Sequence, residues 1–483
     1  FFQQKTSYDI TCRDWSSYVC SSDLVYDAMG LTIDEVKKVI ENHGGKVLPF
    51  SFQDKITQKT PKISISGSKW DITGKFPPDF LWGVAIAAHQ VEGYNLNNDW
   101  WQFETYADGP DEATNNRFPK FVRNSGRATD HYSLYMEHDL ELAKSLGLNT
   151  FRMSIEWSRI EPSRGQFSKS ATKYYREYLQ KVRKLGMKPM VTLWHFTLPQ
   201  WVQKPGFYYD EAGKRHDEME KSLGGFQNKE TVEAFTKFAA YCAENFGDLV
   251  DFWVTHNEPV TTIMMGYMAP FFPPGYLFNW DGAKNAILNA SRAHNISYDM
   301  IKKYDKHDSD GDGQNAIVGL VPHLRKFIIV DPNDKDDIEA FKRLEYFYYY
   351  QMLDAAAFGK LDTNWDGTPD EILCDGKSKL DFIGINYYST SFVSTKFVAN
   401  IPFIMSKTFP ELGYCPVNPD NFDNKLPYNS LGWEINPEGF YDVIMKIHNR
   451  YDLPIYITEN GMADSKGYTL KRSRFIIDRK SVV

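Results

Sequence analysis

Residues 251–259 read DFWVTHNEP. The apolar and aromatic run up to Val254 has the composition of a buried strand. Yet it leads at once into Asn257 and Glu258, and then into Pro259, which has no backbone donor to continue a ladder. A carboxylate at the mouth of such a strand needs a reason to be there, and a partner.

Similar runs recur on both sides of it. They are FLWGVAIAAHQ (80–90), TFRMSIEW (150–157), PMVTLWHF (189–196), AIVGLVPH (316–323), DFIGINYYS (381–389) and PIYITENG (454–461). Between them lie stretches such as HDLELAKSLG (138–147), YYREYLQKVRKLG (174–186) and TVEAFTKFAAYCAENFG (231–247), whose apolar residues fall at helical spacing and which end at glycine. Strands alternating with helices predict a parallel sheet. Seven such units without a long break favour an α/β fold of the (β/α)8 TIM-barrel type over an open sheet. No eighth strand is legible after PIYITENG, so the expected barrel is incomplete, its eighth β/α unit missing. The expected organisation is an irregular N-terminal extension over 1–74, a barrel over 75–477 and a non-native tail over 478–483. Within the extension, TIDEVKKVIENHG (32–44) fits a short helix with Thr32 at its cap and Glu35 three residues on. CRDWSSYVCSSDL (12–24) and the terminal DRKSVV have the look of foreign sequence.

The ends of the seven runs carry Gln90, Arg152, Glu156, His195, Asn257, Glu258, Asn386, Tyr388 and Glu459. In a barrel of this type the C-terminal ends of the strands form the active face. One polar strand end is ordinarily a local hydrogen-bonding group, but polar groups at nearly every end are harder to explain that way. Glu258 closes the fourth run and Glu459 the seventh, on opposite sides of one expected mouth. Two carboxyl groups across a small pocket are what glycoside hydrolysis needs, one to protonate the leaving oxygen and one to attack or to activate water.

Composition narrows the function classes. Of 483 residues, 42% are hydrophobic and 24% charged, and no apolar run is long enough to cross a bilayer. The formal net charge of −8 argues against a nucleic-acid partner, which needs a basic surface. The five cysteines are odd in number and form no CxxC pair, so neither a zinc site nor a disulfide framework is indicated, and a reducing, cytoplasmic compartment is the expectation. The chain begins with Phe1 and lacks a signal-peptide pattern, which reads as a fragment. Oligomeric state leaves no mark on the sequence. DSDGDG (308–313) and DTNWDG (362–367) match the first half of a calcium loop, but Gly319 and Leu373 stand where the closing glutamate belongs. Solvated acidic turns are the preferred reading and no metal site is assigned, a structural Ca²⁺ remaining the competing idea.

NEP and TENG, together with FLWGVAIAAHQVEG, FRMSIEWSRI, LWHFTLPQW, DFIGINYYS and GWEINPEG in that order, closely resemble glycoside hydrolase family 1, the β-glucosidase and β-galactosidase family. NNDWW (97–101) leans toward its archaeal and bacterial branch. The resemblance spans residues 75–477 and implies a retaining exo-β-glycosidase without a cofactor, acting on a small β-glycoside or oligosaccharide. It implies Glu258 as general acid/base and Glu459 as nucleophile, with Arg152 and Tyr388 supporting the nucleophile. Gln90, His195 and Asn257 match positions that bind sugar hydroxyls, and Trp433 matches an aromatic wall. Phe196 stands where many members have Trp. The chain resembles a family member cut short before the strand that grips the 4- and 6-hydroxyls, which leaves open glucoside, galactoside or, less favoured, 6-phosphoglycoside. It also leaves a non-catalytic glycoside-binding barrel as the competing class. A myrosinase-type thioglucosidase is disfavoured, because that branch replaces the acid/base with Gln.

Overall fold

The structure is a computed structural model that describes residues 76–107, 124–206, 208–209, 215–216, 219–268, 271–276, 279–374, 376–393, 414–415, 429 and 433–462. The expected N-terminal extension, the helix over 32–44 and the C-terminal tail lie outside the described residues.

All seven runs form strands: β1 (Gly83–Ala85), β2 (Thr150–Ser154), β3 (Lys188–Trp194), β4 (Phe252–Asn257), β5 (Ile317–Val321), β6 (Phe382–Val393) and β7 (Ile455–Asn460). Every residue of β4 and of β6 is buried, as expected for strands covered on both faces. Each strand pairs in parallel with the next in chain order. That order decides the architecture, because an open doubly wound sheet reverses its strand order at a switch point, whereas a barrel runs round without reversal. The sheet curls far enough for Arg152 on β2 to reach Glu459 on β7 at 2.6 Å. Among the described residues no ladder joins β7 to β1, the place an eighth strand takes in a barrel of this type. The fold is nonetheless that of a (β/α)8 barrel.

The helices that return the chain are α1 (Leu140–Ser145), α2 (Lys169–Lys184), α3 (Lys229–Phe246), α4 (Pro259–Tyr267), α5 (Trp280–Tyr304), α6 (Lys335–Glu345), α7 (Gln351–Phe358) and α8 (Pro437–Tyr451). Several start at side-chain caps that satisfy an orphan N–H: Ser168 for α2, Asn228 for α3, Asn279 for α5, Asp334 for α6 and Asn436 for α8. Their apolar faces, with Trp157, Phe235, Phe238, Phe246, Ile287 and Phe440, form the large core between strands and helices. A smaller core of Met190, Phe252, Val254, Val321 and Phe382 is contributed by β3, β4, β5 and β6. Gly319 makes room for it, since a Cβ there would lie 2.5 Å from the Phe382 ring. This packing plugs the barrel and fixes the strands whose ends carry the polar residues.

β5 does not stop at Val321. After Pro322 the chain resumes as a strand over His323–Ile329, which continues along β6 and sets His323 opposite Asn386. On its other edge β6 sets Asn386 opposite Glu459. The register shifts beside Asn386 toward β7, as a bulge would require.

Candidate active site

Glu258 leaves β4 at φ 49° and ψ 49°, in the left-handed region that non-glycine residues seldom adopt. Its backbone N–H bonds the Val321 carbonyl at 2.7 Å, its own carbonyl accepts from Thr262 at 2.9 Å, and Pro259 opens α4 where a missing N–H costs nothing. Strain of this kind, on the order of 1–3 kcal/mol, persists where the surroundings hold it and is characteristic of functional sites. The strand-to-helix corner thereby turns a carboxylate inward that neither element would otherwise present.

Glu459 is the penultimate residue of β7 and is 1% exposed, as is Glu258. Their surroundings differ in charge. Glu459 Oε1 accepts from the Arg152 guanidinium at 2.6 Å and Oε2 from the Tyr388 hydroxyl at 2.5 Å. Glu258 Oε1 accepts from the Asn386 amide at 2.6 Å, while Oε2 faces His323 Nδ1 at 3.5 Å. Arg152 also donates to Asn257 Oδ1 at 2.6 Å, and Asn386 Nδ2 lies 3.1 Å from the same oxygen. Asn257 Nδ2 donates to His195 Nε2 at 3.2 Å, and Thr458 donates to Asn386 Oδ1 at 2.7 Å. One continuous network thus joins residues from β2, β4, β6 and β7 with His195, which directly follows β3.

Burial raises Glu258 to about 8, and the nearby Glu459 carboxylate pushes the same way against the Asn386 hydrogen bond and the more distant arginines. Burial raises Glu459 too, opposed by Arg152 and Tyr388, so the support expected from those two residues is present but does not outweigh desolvation. His195 is held well below the usual imidazole range by burial and by Arg152, which keeps it neutral. Tyr388 is pushed well up by burial and by the two carboxyls, so its hydroxyl keeps its proton and donates.

The structure therefore brings together Glu258, Glu459, Arg152, Tyr388, His195 and Asn257. None of these hydrogen bonds involves Gln90 or Trp433. Gln90 is half-buried on the short helix Ala88–Val91 just after β1, and Trp433 is buried at the approach to α8, its backbone N–H on Asn429 Oδ1 at 3.0 Å. Glu156 caps a short helix through Ser158 and accepts from Thr197 at 2.9 Å, a supporting position. Phe196 lies at φ 74° and stacks on Trp100 with 6.1 Å between ring centroids, preserving an apolar wall without an indole N–H. Asn386, His323 and Arg325 escaped selection as site residues. The sequence shows Asn386 as a strand-end polar group, but only the side-chain geometry shows that it bonds both Glu258 and Asn257.

The acidic loops lie apart from this network. Asp251, Asp308 and Asp310 approach one another ahead of β4 and β5, at the opposite end of those strands from Asn257 and Val321. Asp308 accepts from the N–H groups of Gly311, Asp312 and Gly313, and Lys188 pairs with Asp310. In the second loop Asp362 accepts from Trp365 and Gly367, and Asp370 from Thr363. These bonds are those of capped turns.

Comparison with known proteins decides the family. The family model described as Glycosyl hydrolase family 1 matches residues 72–475. The chain belongs to glycosyl hydrolase family 1. A β-galactosidase of Pyrococcus woesei is 35% identical over 448 residues, covering 81% of this chain and 82% of that protein. β-Glucosidase A of Thermotoga maritima is 30% identical over 410 residues, covering 80% and 79%. Among solved structures, a β-glycosidase from Pyrococcus horikoshii matches with a TM-score of 0.64 at 30% identity, covering 84% of this chain and 80% of its own. The family 1 protein described here is accordingly a β-glycosidase, a glycoside hydrolase of barrel fold. No helix of the described residues is long and apolar enough to cross a membrane.

Proposed function

We propose that this family 1 enzyme removes terminal β-linked sugars from small glycosides or oligosaccharides with retention of configuration, by double displacement. The observation that carries the reading is the asymmetry of the carboxyl pair: a guanidinium bonds Glu459 directly, whereas the side-chain neighbours nearest Glu258 are a neutral amide and a neutral imidazole.

Arg152 and Tyr388 stabilise the ionised form of Glu459, so it is the member able to attack the anomeric carbon. Glu258 keeps its proton at neutral pH and gives it to the departing glycosidic oxygen. Attack forms a glycosyl ester on Glu459, and the charge that held the proton on Glu258 disappears with it. Glu258, left as a carboxylate by that transfer, is stable as such without the second charge and takes a proton from the incoming water, which displaces Glu459 and restores the first state. Asn257, tied to Arg152 and His195, is the group placed to bond the 2-hydroxyl, where contacts strengthen as positive charge develops. Gln90 and His195 would hold other hydroxyls of the sugar and Trp433 would flank it. The named relatives include both a β-galactosidase and a β-glucosidase, which supports aryl or alkyl β-glucosides and β-galactosides as first substrates.

The test is the anomeric configuration of the sugar first released from a nitrophenyl β-glycoside, followed by proton NMR. Retention yields the β-anomer before mutarotation. Glu459→Ala abolishes turnover, and azide restores it by forming an α-glycosyl azide. An α-sugar as first product, or a Glu459→Ala enzyme of parental activity, would overturn the proposal.

A further inference from the structure

The strand that continues β5 brings two residues to Glu258 that sequence motifs did not single out. His323 is 4% exposed and lies opposite Asn386, so the two residues flank the carboxyl, Asn386 on Oε1 and His323 facing Oε2. Arg325, also 4% exposed, places its guanidinium Nη2 3.2 Å from His323 Nδ1. A guanidinium has only donors. The short approach therefore requires Nδ1 to accept, which places the imidazole proton on Nε2.

We propose that Arg325 is a positioning residue: by occupying the His323 Nδ1 lone pair it holds that imidazole neutral and so prevents it from taking the proton of Glu258. This rests on the acid/base role given to Glu258 above. Without Arg325, a free Nδ1 facing Oε2 would be a stronger base, weakened by burial alone, beside a carboxylic acid. The proton would then divide between the two groups, and a Glu258 that has surrendered it cannot protonate a leaving oxygen.

Among the described residues, the groups facing the imidazole are Arg325 from its own strand, Glu258 from the end of β4, Thr261 Oγ1 from α4 at 3.4 Å and the Tyr388 ring from β6 at 5.6 Å. Tyr388 is in turn bonded to Glu459, which Arg152 neutralises. Apart from the Glu258 carboxyl, nothing in that set favours an imidazolium. Burial and Arg325 both press His323 well below the usual imidazole range. Arg325 is itself held in place, its carbonyl bonded by the Tyr349 hydroxyl and its guanidinium 5.1 Å from the centre of the Tyr348 ring. Arg325 also acts on Glu258 directly and in the opposite sense, drawing its pKa down as any cation does. The experiment must separate these two actions.

The first measurement reads the parental enzyme and needs no turnover. In protein labelled with ¹⁵N-histidine, the His323 signals, identified by their loss in His323→Asn, should show an unprotonated Nδ1 and a protonated Nε2 that do not titrate from about pH 5 to 8. A proton on Nδ1, or titration within that range, overturns the proposal.

The second measurement uses Arg325→Met. His323 Nδ1 should become more basic and share the Glu258 proton, seen as a change in its ¹⁵N shift from the parental value. Turnover of glycosides with poor leaving groups should fall about tenfold or more, while dinitrophenyl glycosides, which leave without protonation, stay within about twofold. His323→Asn introduced into Arg325→Met should recover most of the loss. Equal losses for both leaving groups, or no recovery, would assign Arg325 a packing or direct electrostatic role instead. If Arg325→Met does not fold, Arg325→Lys, a donor without an acceptor, should keep the parental tautomer, and the parental spectrum alone still decides. Parental activity in Glu258→Gln would remove the catalytic reading while leaving the tautomer result intact.

Discussion

A carboxyl group that stays protonated to about pH 8 makes the fold itself sensitive to alkali. Below pH 4.5, the ordinary value for this group, the folded and unfolded chains both hold the Glu258 proton. From there up to about 8 the unfolded chain releases it and the folded chain does not, so each pH unit removes about 1.4 kcal/mol of stability. Across the whole window the loss is on the order of 5 kcal/mol, an upper figure because part of the shift is repulsion shared with Glu459. A domain stability of roughly 5–15 kcal/mol makes such a term visible. Glu258→Gln removes the titration while keeping the shape and an acceptor for Asn386. The expected result is that the melting temperature of the parent falls more steeply than that of Glu258→Gln between pH 6 and about 9, the variant being the more stable at the alkaline end. In the same interval kcat/KM of the parent should decline with an apparent pKa near 8, because only protonated Glu258 can donate. Parallel melting curves for the two proteins, together with an alkaline limb unaffected by the substitution, would refute the assignment of the proton to Glu258.

Other substitutions test the rest of the network. Arg152→Met strips the cation from a buried carboxylate and should cost about 3–5 kcal/mol of stability at neutral pH as well as most of the activity, read from denaturant midpoints and kcat. Tyr388→Phe removes one hydrogen bond to a charged group, worth about 1.5–3 kcal/mol, so kcat should fall roughly ten- to a hundredfold with little change in KM. Asn386→Ala leaves Glu258 Oε1 without its donor and should move the alkaline limb upward, since that bond favours the ionised form. Phe196→Trp tests the apolar wall: it should leave hydrolysis of small nitrophenyl glycosides intact and alter selectivity among bulkier aglycones, seen as changes in KM across a substrate series.

Much of this protein is legible along the chain because its strands are buried on both faces and its helices on one. Apolar runs then mark all seven strands, from FLWGVAIAAHQ to PIYITENG, and helical spacing marks several helices between them, without any knowledge of their neighbours. The family motifs likewise singled out Glu258 and Glu459, which one hydrogen-bond network joins although 200 residues of chain separate them. Several things were not readable in this way. Contact across strands depends on register, and register is a property of pairs: only the alignment of β6 with both its neighbours puts Asn386 between Glu459 and His323. Proton placement depends on burial and on charges brought from far along the chain, so composition cannot tell two glutamates apart that differ chiefly in whether Arg152 reaches them. The sequence by itself determined the strands, their order and the presence of two acids at their ends. The resemblance already assigned Arg152 to Glu459, and the tertiary structure alone decided that Glu258 meets Asn386 and a histidine, because electrostatic energy falls with distance through space and takes no account of distance along the chain.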